Sequence, residues 1–330
     1  MVTFSDVLIT VIFLLALAIP GFLFVKLKLI TEKAGEVLSA IVLYCCQPVL
    51  NIVCFQDCIF NTKIGINMIW VATIATAIHI VFFILLKVIF HKKSTDDKIG
   101  IVKYSSVFSN CGFMGIPFLQ SLFSDSSIQA EILVYCAVVI AVFNVLNWTV
   151  GIYLITGDIK QISPKKIVLN PVIISVFIGL ILFLILQKPI VSFAVEGTVW
   201  GKVLYKLMDS LRFISNMITP LAMFMIGIKL ANIDLKYLFD NGYSLLAATI
   251  KLILMPIFTV LCIAFLPLST AVKYTLFFLL AMPCASSGAM MAEQYHKDGK
   301  FASALVLVST VLCSITIPII YLVATGLFAL

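Results

Sequence analysis

Residues 109–117 read Ser-Asn-Cys-Gly-Phe-Met-Gly-Ile-Pro, inside an apolar stretch that runs from about 99 to 122. Two glycines and a proline are poor material for a continuous helix, because glycine loosens the backbone and proline removes a hydrogen bond and clashes with the preceding turn. This stretch is therefore expected to interrupt the helix that contains it. A second interruption is expected at 282–292, Met-Pro-Cys-Ala-Ser-Ser-Gly-Ala-Met-Met-Ala. The rest of the chain then reads as a frame that holds two breaks at one depth.

That frame is apolar throughout. The 330 residues are 62% hydrophobic and 11% charged, with a mean hydropathy of +1.19. A soluble domain of this size has too little core to hide so much apolar surface, so the fold class is an all-α polytopic membrane protein. The amino-terminal segment has no basic residues before its apolar run and no cleavage pattern of a signal peptide, and it is expected to stay in the membrane. Stretches of about 20 residues, enough to cross the hydrocarbon core, fall at 6–25, 37–56, 66–90, 99–122, 132–156, 166–187, 210–231, 243–266, 271–292 and 303–328. Ten transmembrane helices are the expectation, since an unpaired backbone is too costly in lipid and no alternating barrel pattern is present.

The net charge of +7 would point to acidic partners, nucleic acid included, in a soluble protein. In a membrane protein, loop lysines set orientation instead. Assigning the connections alternately to two sides puts Lys26, Lys28, Lys33, Lys87, Lys92, Lys93, Lys98, Lys103, Lys160, Lys165, Lys166, Lys229, Lys236, Lys297 and Lys300 on one side. Lys63, Lys188, Lys202, Lys206, Arg212 and Lys273 fall on the other, where Glu196 and Asp209 partly offset them in the loop at 188–209. The first side is expected to be cytoplasmic and both termini to lie outside. The nine cysteines sit in or beside apolar segments without histidines at ligand spacing, so they read as small apolar side chains and no metal site is expected.

A faint duplication runs through the chain. Gln47-Pro48-Val49-Leu50 and Thr219-Pro220-Leu221-Ala222 are 172 residues apart, and Asn110 and Pro283 are 173 apart. Two five-helix halves, 1–157 and 158–330, would lie in opposite orientation, the inverted repeat of many secondary transporters, with helices four and nine broken and crossing. Chance alignment of a few prolines is the alternative.

Broken helices put helix ends at mid-membrane. N-termini carry partial positive charge and free N–H groups suited to an anion, and C-terminal ends suit a cation. The candidate substrate-binding residues are therefore Asn110, Cys111 and Gly112 at the first break and Pro283, Cys284, Ser286 and Ser287 at the second. The plainer reading is close helix packing by small residues with one proline kink. Lys251 is the one basic residue well inside an apolar segment, placed either to attract an anion or to snorkel to the surface. Asn51, Asn144 and Asn147 are amides at membrane depth, suited to lining a site or to tying helices together. His79 is a lone midspan histidine, and buried carboxylates are missing from the spans. The chain has no Gly-Lys-Ser/Thr phosphate loop, Ser-His-Asp constellation or His-Glu-x-x-His motif, so neither ATP-driven work nor an enzyme is expected.

Taken in order, Pro48 with Val49-Leu50-Asn51, the 109–117 stretch, Asn144 to Trp148, Asn170-Pro171, Pro220 to Ala231, Ala281-Met282-Pro283, Ala292-Glu293-Gln294-Tyr295 and Ser309-Thr310 resemble the auxin efflux carrier family in its short prokaryotic form. The resemblance implies a ten-helix inverted fold shared with bile-acid sodium symporters. It also implies crossing helices four and nine, a homodimer joined through helices one, two, six and seven, and a place in the plasma membrane of a prokaryote. Asn51, Asn110, Asn144 and Pro283 match the family's site beside the crossing. The implied function is elevator-type transport of a small organic anion, a mono- or dicarboxylate, with the coupling ion, sodium or proton, left open. The alternatives are a sodium-coupled carrier of another solute and a membrane receptor that binds without moving its ligand.

Overall fold

The computed structural model describes residues 2–31, 33–91, 97–124, 128–195, 197–231 and 242–328, without the side chain of Asp97. Lys92, Lys93, Lys236 and Glu196 of the charge count lie outside the described residues. Among the described residues the chain is almost entirely helical and contains no strand. The main helices are α1 (Phe4–Lys26), α2 (Lys33–Gln56), α3 (Thr62–Ile89), α4 (Asp97–Val107), α5 (Cys111–Leu122), α6 (Gln129–Thr156), α7 (Pro171–Leu186), α8 (Val199–Ala231), α9 (Gly242–Ala264), α10 (Thr270–Ala281), α11 (Ser287–Gln294) and α12 (Gly299–Phe328).

Seven of these, α1, α2, α3, α6, α8, α9 and α12, are long and apolar enough to cross a membrane, and α5, α7 and α10 are shorter apolar helices. The stretches at 99–122 and 271–292 are each divided by a non-helical break, which leaves no single long helix in either. The segment expected from 166 shortens because Asn170 caps α7, accepting from the Val172 and Ile173 amides, with Pro171 at the first helical position. One expectation is corrected: the connection placed at 188–209 is helical from Val199, where the Thr198 hydroxyl accepts from the Gly201 amide and starts α8 eleven residues before the expected 210.

Prolines shape three helices, α2, α5 and α9, in the same way. Pro48, Pro117 and Pro256 each follow by two residues a π turn, at Val42–Cys46, Cys111–Gly115 and Ile250–Leu254. A proline offers no N–H to the carbonyl four residues back and crowds it, and widening the turn relieves that clash. The third of these wide turns carries Lys251.

Helices approach most closely where glycine stands on a facing surface. A Cβ on Gly21 of α1 would collide with the Phe224 carbonyl of α8, and one on Gly227 of α8 would collide with the Ala18 carbonyl of α1. This backbone-to-backbone seam is what small residues permit in lipid, where dispersion and polar contacts drive helix association. On the other flank, α2 packs against α7, with Gly179 under the Phe55 ring and the Asn51 carbonyl.

The chain ends share one pole. Tyr321 Oη donates to the Val2 carbonyl at 2.8 Å, and Lys273, which follows the turn after α9, lies over the Phe328 ring. At the opposite pole Lys98 lies over Phe301, and Lys87, Lys103 and Lys297 surround one cavity. Between the poles the two breaks meet in a fully buried layer that includes Phe108, Met282 and Cys284.

Candidate functional site

The break after α4 and the break after α10 pair with each other through their backbones. Ser109 and Cys284 form an isolated antiparallel bridge. The Asn110 amide donates to the Pro283 carbonyl at 2.7 Å, and the Ala285 amide to the Phe108 carbonyl at 2.9 Å. Backbone groups freed by interrupting two helices have to be satisfied inside the protein, and here each break supplies the partner of the other. A third helix contributes as well, because the Cys284 amide donates to Ser309 Oγ of α12 at 3.0 Å.

Lys251 reaches this point from α9. Its side chain is completely buried, and Nζ donates to Ser109 Oγ at 2.5 Å, to the Leu280 carbonyl at 3.1 Å and to Met255 Sδ at 2.9 Å. Leu280 is in the last turn of α10, so the ammonium sits at the negative end of a helix dipole. All three acceptors are neutral. Four helix ends therefore surround the crossing: the C-termini of α4 and α10, one of them holding Lys251, and the N-termini of α5 and α11.

Asn110 caps the first of those N-termini through its backbone, its carbonyl accepting from the Met114 and Gly115 amides. Its side chain is 4% exposed and hydrogen-bonds to none of the described residues. Cys111 is buried beside it, its amide donating to the Ser109 carbonyl. Gly112 faces Gln47 of α2, whose Oε1 is 3.7 Å from where a Cβ would stand. At the second break Ser286 is buried and precedes α11, and the first residue of that helix, Ser287, is bonded to the Tyr104 hydroxyl at 2.7 Å.

Tyr104 is a functional candidate that sequence reasoning passes over, since a tyrosine in an apolar helix reads as packing. Its hydroxyl donates to Asn147 Oδ1 at 2.5 Å while it meets Ser287, and so ties α4, α6 and α11 together. Gly288 leaves room for the ring: a Cβ there would stand 2.5 Å from Tyr104 Cε1. Tyr104→Phe is expected to cost about 1–3 kcal/mol, because Asn147 Oδ1 loses its donor in a buried site. A thermal-unfolding midpoint unchanged from the parent would refute that assignment.

Asn51 and Asn144 are placed outside this bonded cluster. Asn51 Nδ2 donates to Ser175 Oγ and the Val172 carbonyl of α7, and its Oδ1 accepts from Gln47, the residue that faces Gly112. Asn144 bonds the Ile140 carbonyl on its own helix and accepts from Asn170. Ser109 joins the list by virtue of Lys251, a contact between residues 142 positions apart that no local pattern announces. His79 lies close by, its ring 5.7 Å from that of Phe108; Nδ1 donates to the Ala75 carbonyl, and the buried Nε2 has no partner among the described residues. Among the described residues no cluster of histidine, cysteine and carboxylate groups is arranged to hold a metal.

No curated protein matches the chain. The family model described as membrane transport protein matches residues 6–163 and 155–321, which together span nearly the whole chain and include both breaks, α9 and the Lys251 contacts. The chain is thus an integral multi-pass membrane protein and belongs to the membrane transport protein family, that of the auxin efflux carriers.

Proposed function

We propose that the protein carries a small organic anion, a mono- or dicarboxylate, across the membrane and binds it where the two broken helices meet. The observation that carries this reading is Lys251: a completely buried amine whose three partners are neutral, held at the C-terminal end of α10 in the crossing that the N-termini of α5 and α11 also border. Burying an ammonium without a countercharge costs several kcal/mol. A carboxylate arriving at the crossing would offset that cost and would also meet the partial positive charge of α5 and α11. The side-chain amide of Asn110, which bonds to none of the described residues, supplies a neutral donor for the same anion.

The architecture behind this reading is ten membrane segments in two inverted repeats, 1–157 and 158–330. Its basis is the seven long and three shorter apolar helices, taken with the two divided stretches 173 residues apart. Transport would proceed by an elevator movement of the unit that holds the crossing against a scaffold around the α1–α8 seam, with the scaffold forming a homodimer. The lysine-rich pole would face the cytoplasm of a prokaryote and both termini the outside, following the loop-charge asymmetry.

The test is reconstitution into liposomes with a panel of labelled carboxylates, with and without sodium and pH gradients. Uptake or exchange of at least one carboxylate is expected, as is a drop of about tenfold in Asn110→Ala, the loss of one charge-assisted hydrogen bond to the substrate. Because the Asn110 side chain bonds no described residue, the variant's unfolding temperature should stay within a degree or two of the parent's. Ligand binding without flux would identify a receptor instead, and full transport in Asn110→Ala would remove that residue from the site.

A further inference from the structure

At the lysine-rich pole, well away from the crossing, a cavity of about 180 Å³ opens between the end of α3, the start of α4 and the end of α6. It is far larger than the roughly 15 Å³ that a single water requires. Its walls carry Lys87, Lys103 and Lys297 together with Phe83, Tyr153, Thr156 and Gly157, and among the described lining residues there is no carboxylate. Lys87 and Lys103 are close enough to repel each other. Their ammonium groups rest over the rings of Tyr153, at 5.7 Å, and Phe90, at 5.9 Å. Two like charges held together against aromatic faces favour an anion between them, and each cation–π contact, worth about 1 kcal/mol at such sites, keeps its lysine turned inward. The carbonyl end of α6 also lines the cavity and opposes an anion, but with about half a charge against the two whole ones of Lys87 and Lys103.

We propose that this cavity binds a phosphate group, in the first place the headgroup phosphate of an anionic phospholipid. The wall of α3 below Lys87 supports a lipid source, because Val81, Ile84, Leu85 and Val88 are large apolar side chains from 42% to 64% exposed, a surface suited to acyl chains. Tyr153 and Phe83 stand at the boundary between that apolar face and the charged rim, the depth at which aromatic rings mark the interface. Basic pockets between membrane helices on the lysine-rich side are suited to such headgroups. An occupant would clamp α3 to the α4–α6 pair, whose backbones already touch: a Cβ on Gly100 would lie 2.8 Å from the Leu154 carbonyl. Since α4 leads directly into the first break, the clamp would set the position of one wall of the crossing.

The experiment is calorimetric titration of the purified full chain in neutral detergent with short-chain phosphatidylglycerol, short-chain phosphatidylcholine and inorganic phosphate in separate arms. Phosphatidylglycerol should bind about tenfold or more tighter than phosphatidylcholine, and Lys87→Gln and Lys103→Gln should each remove most of that preference. Lys165→Gln, at an exposed lysine in the short helix Pro164–Val168 before α7, should keep it. Binding of inorganic phosphate alone that is lost in the same two variants would support the site with a free anion as its ligand. Equal binding of both lipids and no phosphate binding would overturn the proposal. So would a loss of preference in Lys165→Gln as large as in Lys87→Gln, which would mean general surface charge. None of these arms requires transport, so the outcome stands apart from the reading of the crossing.

Discussion

Lys251→Met is expected to lower carboxylate transport on the order of 100-fold while leaving the protein as stable as the parent or more so. Methionine keeps a flexible apolar stem of nearly the same length and removes the charge and all three donors. On the folding side, the Leu280 carbonyl loses its strongest donor, which costs about 1–3 kcal/mol. Ser109 Oγ already donates to that carbonyl at 3.4 Å and can close on it, which limits the loss. Against this stands relief of the ammonium's desolvation, several kcal/mol for a buried ion with only neutral partners. The two effects nearly cancel. On the transport side nothing cancels, because the positive charge for the arriving carboxylate is gone and a charge-assisted contact of about 1.5–3 kcal/mol corresponds to roughly 10–150-fold. Uptake assays and thermal unfolding on the same preparation separate the possibilities. Transport within twofold of the parent would exclude Lys251 from the site, and a large fall in stability with proportionate loss of transport would make it a structural strut.

The sequence announces that both apolar runs are interrupted, but places only the second break well: it lies inside 282–292, whereas the first is at 108–110, at the edge of the 109–117 stretch, whose glycines and proline are in the helical α5. The capped start at Asn170-Pro171 is written locally, in a side-chain acceptor and a preset φ, but a count of apolar residues alone sets that start at 166 and passes over it. What the sequence leaves open is whatever depends on two distant elements meeting. A lysine eight residues into a helix can turn to either end, and only the wide turn at Ile250–Leu254 and the position of Leu280 decide which way Lys251 points. Tyr104 illustrates the same limit, since its hydroxyl gains meaning only from Asn147 and Ser287, 43 and 183 positions away. The extra turns of α8 before 210 escape for another reason: Val199–Asn216 mixes charged and apolar residues, so a search for continuous apolar runs starts too late.

Gly227→Val is expected to be the most damaging single substitution outside the crossing, and its mechanism is purely steric. The Gly227 Cα faces the Ala18 carbonyl so closely that even one added carbon overlaps that oxygen and crowds the Phe22 amide at 2.8 Å. Both obstacles are backbone, and no rotamer change can clear them. Helix α1 would have to move outward along its length, opening the reciprocal contact of Gly21 with the Phe224 carbonyl and the edge-on pair of Phe24 and Phe224, whose ring centres are 5.4 Å apart. Lipid supplies no hydrophobic force to push the helices back together, because acyl chains solvate the exposed faces as well as the seam does. Overpacking a rigid interface costs about 1–3 kcal/mol and more where the backbone must shift; the loss of dispersion along the whole seam adds to this. The expected result is a fall in the unfolding temperature of about 3 °C or more, about 2 kcal/mol for a chain of this size, with a smaller fall in Gly227→Ala. Gly326→Val, at a glycine with open space around its Cα, should leave the midpoint unchanged. If Gly227→Val unfolds with the parent, the α1–α8 seam is looser than the structure shows, and the scaffold assigned to it cannot be the rigid partner against which the crossing moves.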